Sequence, residues 1–283
     1  MSDADTTSQI AELLATALIG EEVPPPFGAL ILGVIFPSGG LPSYFDQVYA
    51  EIKTIVKQEV TADRIATIDG KVNGTQQYVR DTYAPFKKDP KKTAKEKFDA
   101  ITPYVDGLYQ NVVATLRDER YAQPGFSVFL VGASVHLSLI QEQAYTDPDH
   151  QDDPSQSPFA QAVSNNAKDY ADFAATTWPK IVTARRAAIT LTRPDHWDRR
   201  EEATPGWPPI YYTCWRWEDA VTGETGPNHV GVKEASDERD AAQAEIPPRQ
   251  DAVVAKLTTD LGVPDTIIAN WRKLIASPLP SKK

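Results

Sequence analysis

The strongest constraint on the fold is the segment Phe126-Ser-Val-Phe-Leu-Val-Gly-Ala-Ser-Val-His-Leu-Ser-Leu-Ile140, which opens after Pro124-Gly125 and is apolar around its whole circumference when wound as a helix. A helix without a polar face has to be surrounded by protein or by lipid. Residues 126–140 rise roughly 22 Å as a helix, short of a ~30 Å hydrocarbon core, so this segment alone does not span a bilayer. It is expected to be the buried axis of a bundle.

The remaining segments supply helices to wrap around it. Ile10, Leu13, Leu14, Ala17 and Leu18 recur at helical spacing between Thr6 and Ile19, and Gly20 is a stop. After Pro24-Pro25-Pro26 comes the continuous apolar run Phe27 to Phe36, ended by Pro37-Ser-Gly-Gly40. A stripe through Phe45, Tyr49, Ile52, Val56, Val60, Ile68, Val72, Val79 and Tyr83 predicts a long amphipathic helix, weakened locally by Gly70 and Gly74. The Lys-rich stretch Lys87 to Lys92 reads as a solvated turn, followed by a second stripe, Phe98, Ile101, Val105, Leu108, Val112 and Leu116, with a kink expected at Pro103. Beyond the acidic loop Thr146 to Pro158, a third stripe runs through Phe159, Val163, Tyr170, Phe173, Thr177, Ile181, Ala184, Ala188 and Leu191, bent at Pro179.

After Arg193-Pro194 the pattern changes. Ile210-Tyr-Tyr-Thr-Cys-Trp-Arg-Trp217 alternates and is rich in β-formers, and Val221-Thr-Gly-Glu-Thr-Gly226 supplies turn chemistry, which together predict a β-hairpin. Alternation puts Tyr211, Thr213, Trp215 and Trp217 on one face, expected to be core, and Tyr212, Cys214 and Arg216 on the other. Helical composition returns at Lys233 to Glu245, stops at Pro247-Pro248, resumes through Val253, Val254, Leu257 and Leu261, and restarts with Ile267, Ile268, Trp271 and Leu274. The expected fold is all-α: one domain over residues 1–283, a bundle of about seven helices around the central apolar helix. Its core bundle occupies residues 6–192, a small β-hairpin about 209–231, and the C-terminal helices 233–276.

Composition narrows the function. Among 283 residues, 39 Asp and Glu outweigh 29 Lys and Arg, a formal charge of -10, and no dense basic patch is present to neutralise phosphates, so nucleic acid is not an expected partner. The single cysteine, Cys214, excludes an intrachain disulfide framework, and four scattered histidines leave little for a zinc site. Met1-Ser-Asp-Ala-Asp lacks the basic residues of a secretory signal, which predicts a protein made in soluble form. No nucleophile elbow, phosphate loop, HExxH or Cys–His pairing occurs, so neither an enzyme nor a cofactor is expected; His196, between Asp195 and Asp198, is the one acid/base grouping in sequence.

Ala133-Ser-Val-His-Leu-Ser-Leu-Ile140 resembles the central fifth helix of the helical N-terminal domain of the insecticidal three-domain crystal δ-endotoxins, with its usual Ala-Asn-Leu-His-Leu pattern, and His136 falls at the family's histidine. Gly33-Val-Ile-Phe-Pro-Ser38 is similar to the end of that family's second helix. Pro103 within Ala-Ile-Thr-Pro-Tyr104 resembles a proline of the fourth, and Tyr170-Ala-Asp172 before Trp178 resembles the sixth. The resemblance covers about residues 9–191. The family's two β-rich receptor-binding and specificity domains have no counterpart in this sequence, and the hairpin at 210–230 departs from the family pattern.

The resemblance implies a pore-forming, toxin-like protein that inserts a helical hairpin into target-membrane lipid and homo-oligomerises there, with a receptor or a separate targeting protein as further partner. A non-toxic helical scaffold or binding module that keeps the fold is the alternative. The inserting hairpin would comprise Phe98, Ile101, Val105, Leu108 and Val112 on one helix and Phe129, Val131, Val135, Leu137 and Leu139 on the central one. Asp99, Thr102, Asp106, Gln110 and Arg117, on the opposite face of the first helix, would line the pore, although such a face is ordinarily just solvated. His136 reads first as a hydrogen-bonded core histidine and second as a pH sensor. Asp147, Asp149, His150, Asp152 and Asp153 fail the EF-hand pattern at Asp152 and Pro158 and read as a charged, solvated loop, open to adventitious calcium but holding no resident metal. Trp207, Tyr211, Tyr212, Trp215 and Trp217 read as hairpin packing before carbohydrate platform or membrane anchor.

Overall fold

A computed structural model describes residues 62–194, 199–201, 210–261 and 263–279. The expected helix at 6–19, the apolar run 27–36, the start of the stripe at Phe45, the His196 grouping and Trp207 lie outside these residues. Among the described residues the chain divides into two compact units, one of 62–179 with 258–279 and one of 180–257.

The first unit is a helical bundle. Helix α1 (Ala62–Tyr78) continues through a π-helical turn, Val79–Tyr83, into α2 (Ala84–Lys88). Helix α3 (Ala94–Leu108) continues likewise through a second π-turn, Tyr109–Val113, into the short α4 (Ala114–Leu116). Thr93 starts α3 with a capping box: its hydroxyl accepts from the Glu96 amide, and the Glu96 carboxylate accepts from the Thr93 amide. The Thr93 amide, with Lys92 and the Thr93 hydroxyl beside it, lowers the Glu96 carboxyl to a pKa of about 2. Pro103 lies inside α3, which continues past it. The short α5 (Glu119–Ala122), capped by Asp118, leads to the central helix α6 (Phe126–Thr146).

All of α6 is buried except Ser138 and Tyr145. Around it lie Ile68, Val72, Val79 and Tyr83 of the first arm and Ile101, Val105, Leu108, Val112 and Leu116 of the second. Helix α7 (Pro158–Ala187) gives its residues up to Pro179 to this unit, including Val163, Tyr170, Ala174 and Trp178. The helical stripe expected to reach Leu191 stops earlier: α7 ends at Ala187, and β1 (Ile189–Thr192) takes over where Ile-Thr-Leu-Thr alternates.

The bundle is not closed by the first 191 residues. Helix α10 (Pro264–Ala276) belongs to the same unit and buries Ile267, Ile268, Trp271 and Leu274. Phe129 of α6 meets Tyr170, Phe173 and Trp271 edge-on, with centroids 5.9, 4.5 and 6.0 Å away, and the Ser164 hydroxyl donates to the Ile275 carbonyl. Edge-to-face geometry sets the positive rim of one ring on the negative face of another.

The second unit is built on β3 (Ile210–Asp219), to which β1, β2 (Arg199–Glu201) and β4 (His229–Val232) all pair antiparallel. The expected hairpin is present as β3 and β4, with two further strands. Of the four residues expected on the core face only Thr213 is buried. Tyr211 is 52% exposed, Trp215 and Trp217 are half-buried, and Cys214 on the opposite face is fully buried. Helices α8 (Ser236–Ala244) and α9 (Ile246–Asp260) complete this unit. Pro247-Pro248, expected to end a helix, instead opens α9, because prolines in a first turn lack only N–H groups that have no helical partner anyway. Arg185 meets the buried Asp219 carboxylate with two bonds of 2.9 and 2.8 Å, and Arg249 stacks on Trp217.

Candidate membrane-active hairpin

The central helix is longer than its apolar run. It holds 21 residues, which rise about 31 Å, close to the thickness of a hydrocarbon core. In the added turns, Gln141 to Thr146, the polar residues Gln141, Glu142, Gln143 and Thr146 are buried, each with a partner. Gln141 donates to the Pro278 carbonyl (2.7 Å), Gln143 to the Thr102 hydroxyl (3.0 Å), and the Thr146 hydroxyl to the Glu142 carbonyl (2.8 Å). Glu142 itself accepts from Tyr83 and Lys87.

Helix α3 and its π-turn pack along α6. Ile101, Val105, Leu108 and Val112 are buried on one side of the contact, and Phe129, Val131, Val135, Leu137 and Leu139 on the other. Phe98 is half-buried against Phe159, 5.0 Å away. The approach is closest at Gly132, where a Cβ would come within 2.6 Å of Val112 Cγ1 and 3.7 Å of Val72 Cγ2. A methyl there would crowd Val112 of the second arm, while Val72 of the first arm stands at ordinary contact distance.

On the outward face of this arm, Asp99, Asp106 and Gln110 are exposed, and Asp99 pairs with Lys95 at 2.9 Å. Thr102 and Arg117 are half-buried, Thr102 by its contact with Gln143. The five residues therefore form an interrupted polar row.

His136 is 3% exposed, and its Nδ1 lies 2.7 Å from the Tyr170 hydroxyl. The ring of Tyr109 in the second π-turn lies 5.6 Å away. Burial lowers the His136 pKa to about 3, so the imidazole is neutral and fits the core reading.

The acidic loop after α6 is not simply solvated. Asp147 is buried and accepts from the Ser157 hydroxyl (2.7 Å) and the Asp149 amide (3.1 Å), with His150 Nδ1 at 2.9 Å. These bonds hold its carboxyl below the usual range against the cost of burial. Asp149, Asp152 and Asp153 point to solvent, and among the described residues no three metal-ligating side chains converge.

Residues 30–202 match the delta endotoxin N-terminal domain model. The chain belongs to this family. It is a family of pore-forming toxin domains and not of enzymes, and its helical bundle is the one described above. The match takes in α6 with both arms and ends before β3, whereas α10, which closes the bundle, lies beyond it. No curated protein matches the sequence. Among the described residues no helix is long and apolar enough on its own to cross a membrane.

Proposed function

We propose that this delta endotoxin domain acts by inserting the α3–α6 hairpin into a target membrane and assembling there into a homo-oligomeric pore, with a receptor or a separate targeting protein bringing it to the surface. The carrying observation is α6: a helix buried on nearly every side, so that exchange of protein neighbours for lipid costs little apolar burial.

The hairpin, and not α6 alone, is the unit that fits. Ser134, Ser138, His136 and Gln141 to Gln143 leave α6 too polar to cross singly, so these groups need cover from α3 or from another copy. The outward row of Asp99, Asp106 and Gln110, with Thr102 and Arg117 at its margins, supplies a wet face, and its carboxylates favour cations.

Release of a trapped dye from neutral and anionic vesicles, across pH, tests the reading. Leakage by folded protein is expected. Intact vesicles at every pH, with the bundle folded, would leave a scaffold or binding role instead.

A further inference from the structure

Helix α6 carries a single acidic residue, Glu142, and no lysine or arginine. Glu142 is wholly buried. Its Oε1 accepts from the Tyr83 hydroxyl at 2.6 Å and its Oε2 from Lys87 Nζ at 2.7 Å. Tyr83 ends the first π-turn and is itself fully buried, whereas the Lys87 side chain on α2 keeps 20% of its surface in water. One carboxylate thus fastens the α1–α2 arm to the central helix. Among the described residues, other charged or titratable groups that act on this cluster include Lys97 of α3, Tyr145 of α6 and, through Tyr83, Tyr78 of α1.

The two fastenings respond differently to a proton. A neutral carboxyl group still accepts from the Tyr83 hydroxyl, but it offers an ammonium group no charge to pair with. Lys87, half-buried on α2, would then lose its charge pairing with the central helix.

Resting on the reading that the α3–α6 hairpin enters lipid, we infer that Glu142 is the acid-sensitive bolt of that hairpin: on taking a proton from solvent it releases Lys87 and leaves α6 without an ionised side chain. Three environments order its proton affinity. In an unfolded chain the carboxyl titrates in the ordinary range. In the bundle burial raises its pKa, while Lys87 and Tyr83 work against that rise. In lipid the desolvation remains and both partners are gone, so the inserted state holds the proton most tightly. Acid therefore shifts the balance from bundle to lipid.

The same ordering separates this device from acid unfolding. Because the folded pKa of Glu142 lies above the unfolded one, protonation of this group favours the bundle over the unfolded chain in water. Within the bundle His136 stays neutral until about pH 3, so it does not charge there across this range.

The test compares wild type with Glu142→Gln on dye-loaded vesicles of phosphatidylcholine containing a minor fraction of phosphatidylglycerol, from about pH 7.5 to about pH 4.5. Wild-type leakage is expected to rise by roughly tenfold or more on acidification, the factor carried by one unit of proton affinity. Glu142→Gln should leak at neutral pH at the acid rate of wild type and lose most of the pH dependence. Lys87→Met, which keeps the acid but removes its cationic partner, should move the wild-type profile to higher pH, and it serves as the reading variant if circular dichroism shows Glu142→Gln unfolded. Identical pH profiles for wild type and the folded variants would overturn the bolt and leave pore formation standing. Absence of leakage from all of them at every pH would overturn pore formation, and the bolt with it.

Discussion

Gly132 is the residue through which the packing account can be tested most sharply, because two opposing effects act on it and the structure says which wins. Replacing a glycine inside a helix by alanine ordinarily stabilises by about 1 kcal/mol, since the unfolded chain loses freedom and the helix gains a better former. At Gly132 the new methyl would sit 2.6 Å from Val112 Cγ1, and Val112 is fully buried in the π-turn. Overpacking of this kind costs about 1–3 kcal/mol, so Gly132→Ala should be net destabilising by up to about 2 kcal/mol. Gly107, inside α3, has nothing within 4 Å of its would-be Cβ and provides the matched control. Gly107→Ala should stabilise by about 0.5–1 kcal/mol. Urea unfolding monitored by helical circular dichroism gives both values at unchanged m. If Gly132→Ala stabilised as much as Gly107→Ala, the close approach of α6 to Val112 would be refuted.

Other outcomes follow from the same core. Leu137, 1% exposed on α6, should not tolerate a charge: Leu137→Asp should cost about 3–5 kcal/mol of stability, and an unchanged thermal midpoint would remove α6 from the centre. His136 has a folded pKa of about 3 against an ordinary 6.5, so the unfolded chain takes up a proton that the bundle refuses. Its contribution is complete above pH 6.5 and is lost toward pH 3 at up to about 1.4 kcal/mol per pH unit. Denaturant titrations of wild type and His136→Gln near the two ends of that window should show a shallower pH slope for the variant, and equal slopes would contradict a buried neutral imidazole.

Much of the bundle was legible because helical periodicity survives burial on one face. The stripes through Ile101, Val105 and Leu108 and through Val163 and Tyr170 lie where the spacing puts them. The end of α6 was not legible, since Gln141-Glu-Gln143 looks like the solvated end of an apolar run, and only their partners at Thr102, Pro278, Tyr83 and Lys87 make them core. These partners are distant in sequence and leave no local signal. The two π-turns were equally hidden, because they change the hydrogen-bond pattern without breaking the apolar stripe. Strand β1 had a signal, the alternation Ile189-Thr-Leu-Thr192, but Leu191 also fits the preceding helical stripe. For α10 the apolar face at Ile267, Ile268, Trp271 and Leu274 was visible, and its place in the bundle was not.

The hairpin mechanism makes one demand above others: α6 must leave its neighbours. A cysteine pair joining α6 to the part of α7 within the bundle, with Cα atoms about 4.4–6.8 Å apart, would hold it in place, in a Cys214→Ser background so that the buried native thiol cannot mispair. The decisive measurement is dye release by the oxidised and the reduced forms of this one protein. The oxidised form is expected to be folded, at least as stable as the parent and unable to permeabilise vesicles, and reductant is expected to restore leakage. Full leakage by the oxidised form would contradict insertion of the α3–α6 hairpin.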